Sequence, residues 1–128
     1  MIIFVPILLS GEYMISKHFR RDEFACRCGC GFNTVDVELL ATLEAVREHF
    51  GKPVIITSAC RCPAHNERVG GASGSQHKLG RAADIIVKDV DPEDVAEWLV
   101  VHCVGGVGEY STFTHVDSRS DRKARWKG

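Results

Sequence analysis

The sequence has no long apolar run. Its longest, in the opening "MIIFVPILLSGEYM", covers about nine residues, against the roughly 20 that a membrane-spanning helix needs. No membrane span is therefore expected. The same segment lacks the basic n-region and the A-x-A-like cleavage site of a secretory signal. An upstream extension, a weak export signal and a packed strand stay open as readings of residues 1–13, with Met14 opening the better-behaved stretch "MISKHFRRDEF". An excess of charge is also missing. Sixteen Lys and Arg face 17 Asp and Glu, a formal net charge of -1, so no global attraction to nucleic acid or to an anionic membrane is expected. The basic C-terminal run "SRSDRKARWKG" is read as a solvated tail. Internal repeats and low-complexity segments are absent.

The C-x-x-C spacing of common zinc knuckles is absent as well, although the chain holds six cysteines. They fall as C-x-C clusters, Cys26, Cys28 and Cys30, then Cys60 and Cys62, with Cys103 alone. A bridge between the clusters, free thiols and a second, structural metal all remain open. The segment 26–33 has little apolar surface to hold it. At least one of Cys26, Cys28 or Cys30 is therefore expected within disulfide reach of Cys60 or Cys62, and closing a loop of about 30 residues would contribute about 3 to 4 kcal/mol.

The length, 128 residues, suits one compact domain, here residues 1–128 with a core over 16–126. "SKHFRRDEFA" reads as a short helical turn anchored by Phe19 and Phe24. In "TVDVELLATLEAVREHFG", Val37, Leu40, Leu43, Val46 or Arg47, and Phe50 follow a helical stripe that Gly51 ends. "VIITS" and "RAADIIVK" read as buried strands. Between them lies a long polar loop with one helical turn after Pro63, and such loops are usually functional. "DPEDVAEWLVVHC" predicts a helix with Asp91 as N-cap and Pro92 in the first turn. "VGGVGEY" and "FTHVDSR" predict a hairpin turning near Ser111 and Thr112. Helices and strands follow one another without a βαβ rhythm. This indicates an α+β fold with a small, mostly antiparallel sheet flanked by helices.

Asp84 interrupts the apolar strand "AADIIV". A buried carboxylate is costly unless it is paired, hydrogen-bonded or bound to metal. His77 lies seven residues upstream, and Gly80 lets the chain fold back between them. His115, central in "FTHVD", would share a strand face with Phe113 and Asp117. Two histidines and an aspartate match a catalytic zinc site, with three protein ligands and one open position. Taken singly, His77 could be a loop histidine, Asp84 an ion-pair partner of Arg81 or Arg61, and His115 a satisfied core histidine. His18, His49, His65 and His102 have no comparable context and read as structural or surface groups.

"SQHKLGRAAD" with "FTHVD" resembles the zinc D,D-peptidases of the D-alanyl-D-alanine carboxypeptidase and murein endopeptidase superfamily, whose fold is shared with Hedgehog signalling domains. Their pattern S-x-H-x-x-G-x-A-x-D is matched by Ser75, His77, Gly80, Ala82 and Asp84, and their S-x-x-R by Ser58 and Arg61. The closing "HVDSR…RW", with Trp126, is similar to a small subgroup. The resemblance implies one zinc ion on His77, Asp84 and His115. It implies that Arg61 grips a substrate carboxylate or carbonyl, as a planar fork of donors can, with Ser75 and Tyr110 as further substrate contacts. Peptidoglycan stem peptides are the implied substrate, cleaved by a metal-activated water in carboxypeptidase or endopeptidase fashion. A monomer is expected, and localisation stays open.

One position departs from the family's pattern. Many relatives carry the catalytic acid three residues before the last histidine, where this chain has Thr112. Asp117 is the expected substitute as general base. Its alternative role is to orient the His115 ring, and Glu109 is a weaker candidate for the base. The departure also keeps open a zinc-containing module that binds peptidoglycan or a protein with little turnover. A redox or structural-zinc protein centred on the cysteines is the third reading.

Overall fold

A computed structural model describes residues 13–103 and 105–128; most of the segment 1–13 lies outside them. In chain order there is a 3₁₀ turn (Arg21–Phe24), then α1 (Val37–Phe50), β1 (Val54–Ser58) and α2 (Pro63–Arg68). A second 3₁₀ turn (Gln76–Leu79) follows, then β2 (Ala82–Val87), α3 (Pro92–His102), β3 (Gly106–Glu109), β4 (Thr114–Asp117) and β5 (Ala124–Lys127). The five strands form one sheet in the order β1-β2-β4-β3-β5. All pairings are antiparallel except β3 with β5. The fold is α+β, as the sequence indicates. No described helix is long and apolar enough to cross a membrane.

Strand periodicity separates core from site. On β2, Ala83, Ile85 and Val87 join the hydrophobic core, so Ala82, Asp84 and Ile86 point to the opposite face. On β4, Val116 is in the core and Thr114 donates to the Pro92 carbonyl at the start of α3 (3.1 Å). His115 and Asp117 therefore share the face of Asp84. Helices α1 and α3 cover the core face through Leu39, Leu43, Val46, Val95 and Leu99. Phe19 and Phe24 join the core and meet edge to face at 6.0 Å.

Local signals explain the helix ends. Asp36 caps α1 by accepting from the Glu38 and Leu39 amides. Asp91 stands at the α3 cap position without a side-chain capping bond, and Pro92 supplies the first-turn geometry. Three expectations need correction. Val37 is 79% exposed: as the first residue of α1 it precedes the buried stripe, which begins at Leu39. β1 is an edge strand whose Ile55 faces solvent, so only alternate residues are covered. The basic C-terminal run is not a solvated tail, because β5 pairs in parallel with β3 and its alternating pattern turns Ala124 and Trp126 inward.

The core assignment predicts a contrast within α1. Leu43→Ala, at a fully buried site, should cost about 2 to 5 kcal/mol, whereas Val37→Ala should stay within about 0.5 kcal/mol. Urea midpoints of the two variants check this, and equal losses would contradict the placement of α1.

Candidate metal centre and cleft

Register builds the centre. Asp84 on β2 lies directly opposite His115 on β4, where side chains on the same face of an antiparallel pair meet. The His115 Nδ1 is 3.0 Å from Asp84 Oδ1. His77, on the second 3₁₀ turn, brings its Nε2 to 3.3 Å from the same oxygen. One ligand atom from each of the three residues lies within 4.8 Å of the others, and all three residues are buried.

The far side of each ring decides its tautomer. His77 Nδ1 lies 2.6 Å from the Ala59 carbonyl oxygen, which can only accept, so Nδ1 carries the proton. His115 Nε2 lies 2.8 Å from Asp117 Oδ2. Burial works to raise the Asp117 pKa, but bonds from Arg119 and His115 outweigh it and hold this carboxyl well below the usual carboxylate range. Asp117 is thus an acceptor, and His115 Nε2 carries the proton. In the neutral rings, Nε2 of His77 and Nδ1 of His115 are then lone pairs aimed at one carboxylate oxygen. Three acceptors converge, and only a cation or extra protons can hold them together. Two imidazoles and a carboxylate, each ring locked through its other nitrogen, is the donor set and bracing that zinc takes. The residues fit the metal.

Asp84 stays ionised. Burial works to raise its pKa, but the His115 and His77 rings, which bond to it and attract it when they carry the extra proton, outweigh this and place it far below the ordinary aspartate value. Its second oxygen, Oδ2, accepts from Arg61 Nη2 at 3.2 Å. Arg61 also donates from Nε to Ser58 Oγ (3.1 Å) and from Nη1 to Asn66 Oδ1 (3.3 Å). These bonds use three of its five N–H groups, and the residue lines the cleft. The matched Ser58 therefore orients the arginine, and the arginine orients the Asp84 carboxylate.

The centre lies at a cleft of about 630 Å³ whose lining includes Arg61, Ser75, Tyr110, Arg119, Arg122 and Trp126. Asp84 is the one carboxylate among its described lining residues. Asp117 is 1% exposed and does not line the cleft. Its oxygens accept from the Gly106 amide, the Arg119 amide, Arg119 Nε and Arg119 Nη2, besides His115. Glu109 sits beside Lys127 (3.7 Å) and borders other grooves. Thr112 is exposed. Ser75 Oγ accepts from the His77 amide at 3.2 Å, and Tyr110 Oη accepts from Trp126 Nε1 at 2.8 Å.

Arg119 and Trp126 of this wall had no role assigned from the sequence. Arg119 grips Asp117 with two nitrogens at 2.8 and 2.7 Å and lies over the Trp126 ring at 5.5 Å. The H-x-D-x-R spacing was the available signal for it. Trp126 packs against the His115 ring at 4.9 Å. Glycines make room for Trp126 and for the Asp117 carboxylate that Arg119 grips: a Cβ on Gly108 would stand 2.5 Å from the Trp126 indole, and one on Gly106 would overlap the Asp117 carboxylate.

A pH dependence follows. Burial lowers the His115 pKa, but its bonds to Asp117 and Asp84 outweigh this and raise it above the ordinary 6.5. Zinc must displace that proton, so zinc affinity should be full above the raised pKa and fall below it, by about tenfold per pH unit for one displaced proton. The decline should begin at higher pH than an ordinary histidine dictates. Calorimetric zinc titrations across pH 5 to 9 measure this, and a flat profile would contradict the ligand assignment.

Comparison with known proteins places the centre in a family. No curated protein matches the chain. A family model described as Peptidase M15 matches residues 17–117, a span that contains His77, Asp84, His115 and the strands that align them. The chain belongs to the Peptidase M15 family.

Proposed function

We propose that this protein is a zinc peptidase that hydrolyses stem peptides of bacterial peptidoglycan, with residues 16–126 as one catalytic domain. The observation that carries the reading is the convergence of two ring lone pairs on Asp84 at a cleft lined by three arginines and one carboxylate. Such a lining favours a ligand with its own carboxylates, and stem peptides have them.

His77, Asp84 and His115 would hold the ion. Zinc in such a site lowers the pKa of bound water to about 7 and polarises a carbonyl as a Lewis acid. Arg61 holds Asp84 in place and directs its remaining N–H groups to a substrate carboxylate or carbonyl. Arg119 and Arg122 extend the cationic wall. Tyr110 accepts from Trp126 and so keeps its own hydroxyl proton available for a substrate oxygen. Ser75 fixes the turn carrying His77. Asp117 acts as a positioning residue: it faces the Nε2 edge of His115, away from Asp84, and its oxygens are already filled by donors. This favours the orienting role over the general-base role for Asp117.

A second reading has a specific observation behind it. With Asp117 committed and Thr112 outside the cleft, no second carboxylate lines it among the described residues. The same geometry would serve a module that holds zinc and binds peptide carboxylates with little turnover.

Digestion of purified peptidoglycan, read by mass spectrometry, separates the two. Hydrolysis predicts released D-alanine or cleaved cross-links, both lost with His115→Ala or a chelator. Binding without released fragments would favour the module, and neither binding nor release would overturn both. For Asp117→Asn, an orienting role predicts about 10- to 100-fold weaker zinc binding, with activity partly recovered at high zinc. Full zinc retention with turnover reduced about 100-fold or more would instead make Asp117 the base.

A further inference from the structure

The cysteines form a second cluster, distinct from the group of His77, Asp84 and His115. The Sγ atoms of Cys26, Cys28, Cys30 and Cys62 all lie within 4.8 Å of one another. Cys26 and Cys28 are 3.4 Å apart, and Cys28 and Cys62 are 3.7 Å apart. A tetrahedron of sulfurs around zinc, with Zn–S of about 2.3 Å, has edges of about 3.8 Å. The expected closeness of the two clusters is met by Cys62. The sulfurs are free thiols, however, and they group as four rather than as a bonded pair. Cys60 and Cys103 are buried and stand outside the group.

We infer that Cys26, Cys28, Cys30 and Cys62 bind a structural zinc ion, separate from the His77, Asp84 and His115 centre. Four thiolates close a tetrahedral site and leave no position for water, which suits a structural rather than a catalytic role. The surrounding backbone supports thiolates here. The Cys62 amide donates to Cys26 Sγ and the His65 amide to Cys62 Sγ, each at 3.4 Å. Such N–H···S bonds do for sulfur ligands what carbonyls and carboxylates do for ligating histidines. The loop has the backbone shape that such a site needs. Gly29 and Gly31 take positive φ values of 83° and 91°, so successive cysteines turn their side chains to one side. Arg27 anchors the loop by donating to the Glu23, Ala25 and Ile56 carbonyls.

The position of the site gives it a consequence for the cleft. Cys62 directly follows Arg61, whose amide donates to the His77 carbonyl (3.0 Å). Metal at the four sulfurs would tie the loop 26–31 to the segment that carries Arg61 and the Ala59 acceptor of His77. On binding, each thiol gives up its proton, so filling the site releases protons.

Metal content and cobalt spectra of the full chain test the inference, and they separate its failure from failure of the peptidase reading. Wild-type protein purified with zinc should hold two zinc ions per chain. Cys28→Ser/Cys62→Ser should lose one and keep the other, and His77→Ala/His115→Ala should lose only the other. Cobalt(II) exchanged into wild-type protein should give a strong near-ultraviolet thiolate-to-cobalt band, still present in the histidine variant. If the cysteine variant fails to fold, the wild-type and histidine-variant spectra decide. A single zinc lost with the histidines, no thiolate-to-cobalt band, or an intact mass showing the hydrogens lost to disulfides would overturn the second site and leave the first untouched.

Discussion

A carboxylate buried on an interior strand of a small sheet is the constraint on which the structure turns. Asp84 is 8% exposed, and removing an ion from water costs several kcal/mol unless its lone pairs are met. Its two oxygens have different partners. One is held by Arg61; the other faces both histidines and needs positive charge between them. The site is therefore stable when a cation is supplied, and the same demand suits it to hold a metal ion.

The rest of the fold serves that centre. Period-two alternation gives β2 and β4 one apolar face for the helices and an opposite face that carries Asp84, His115 and Asp117. Antiparallel register sets Asp84 against His115, so the sheet determines their separation. Behind the ligands stands a layer of supports: the Ala59 carbonyl for His77, Asp117 for His115, Ser58 and Asn66 for Arg61, and Arg119 for Asp117. Asp117 is held by the Gly106 amide and Arg119, and Asn66 by the Ala72 carbonyl, so the rings and the carboxylate have little freedom to swing. Glycines in β3 let the Asp117 carboxylate and the Trp126 ring pack directly against the strand.

Much of this was legible in the sequence because it is local. "SQHKLGRAAD" carries His77, a turn and Asp84 within ten residues, and "FTHVD" marks His115 on an alternating strand. The long apolar-striped helix and the hairpin were legible for the same reason. What escaped depends on distant pairing. β5 joins the sheet beside β3 in parallel, and nothing in "SDRKARWKG" announces a partner so far upstream. Arg119 could be seen as a residue but not as the brace of Asp117, since that role exists only once the chain has turned after β4. The role of Asp117 was open because strand alternation places it beside His115 without saying which ring nitrogen it meets. The cysteines show the same limit: spacing brings three of them together, and the fold alone selects Cys62 over Cys60 as the fourth.

The central claim is that one metal ion sits between His77, Asp84 and His115. Anomalous diffraction from crystals of the zinc-loaded protein, recorded on both sides of the zinc absorption edge, tests it directly. The expected result is a zinc peak within about 2.0 to 2.2 Å of His77 Nε2, an Asp84 oxygen and His115 Nδ1, with His115 Nε2 still bonded to Asp117. Absence of a peak there, or a peak with any of the three side chains turned away from it, would contradict the claim.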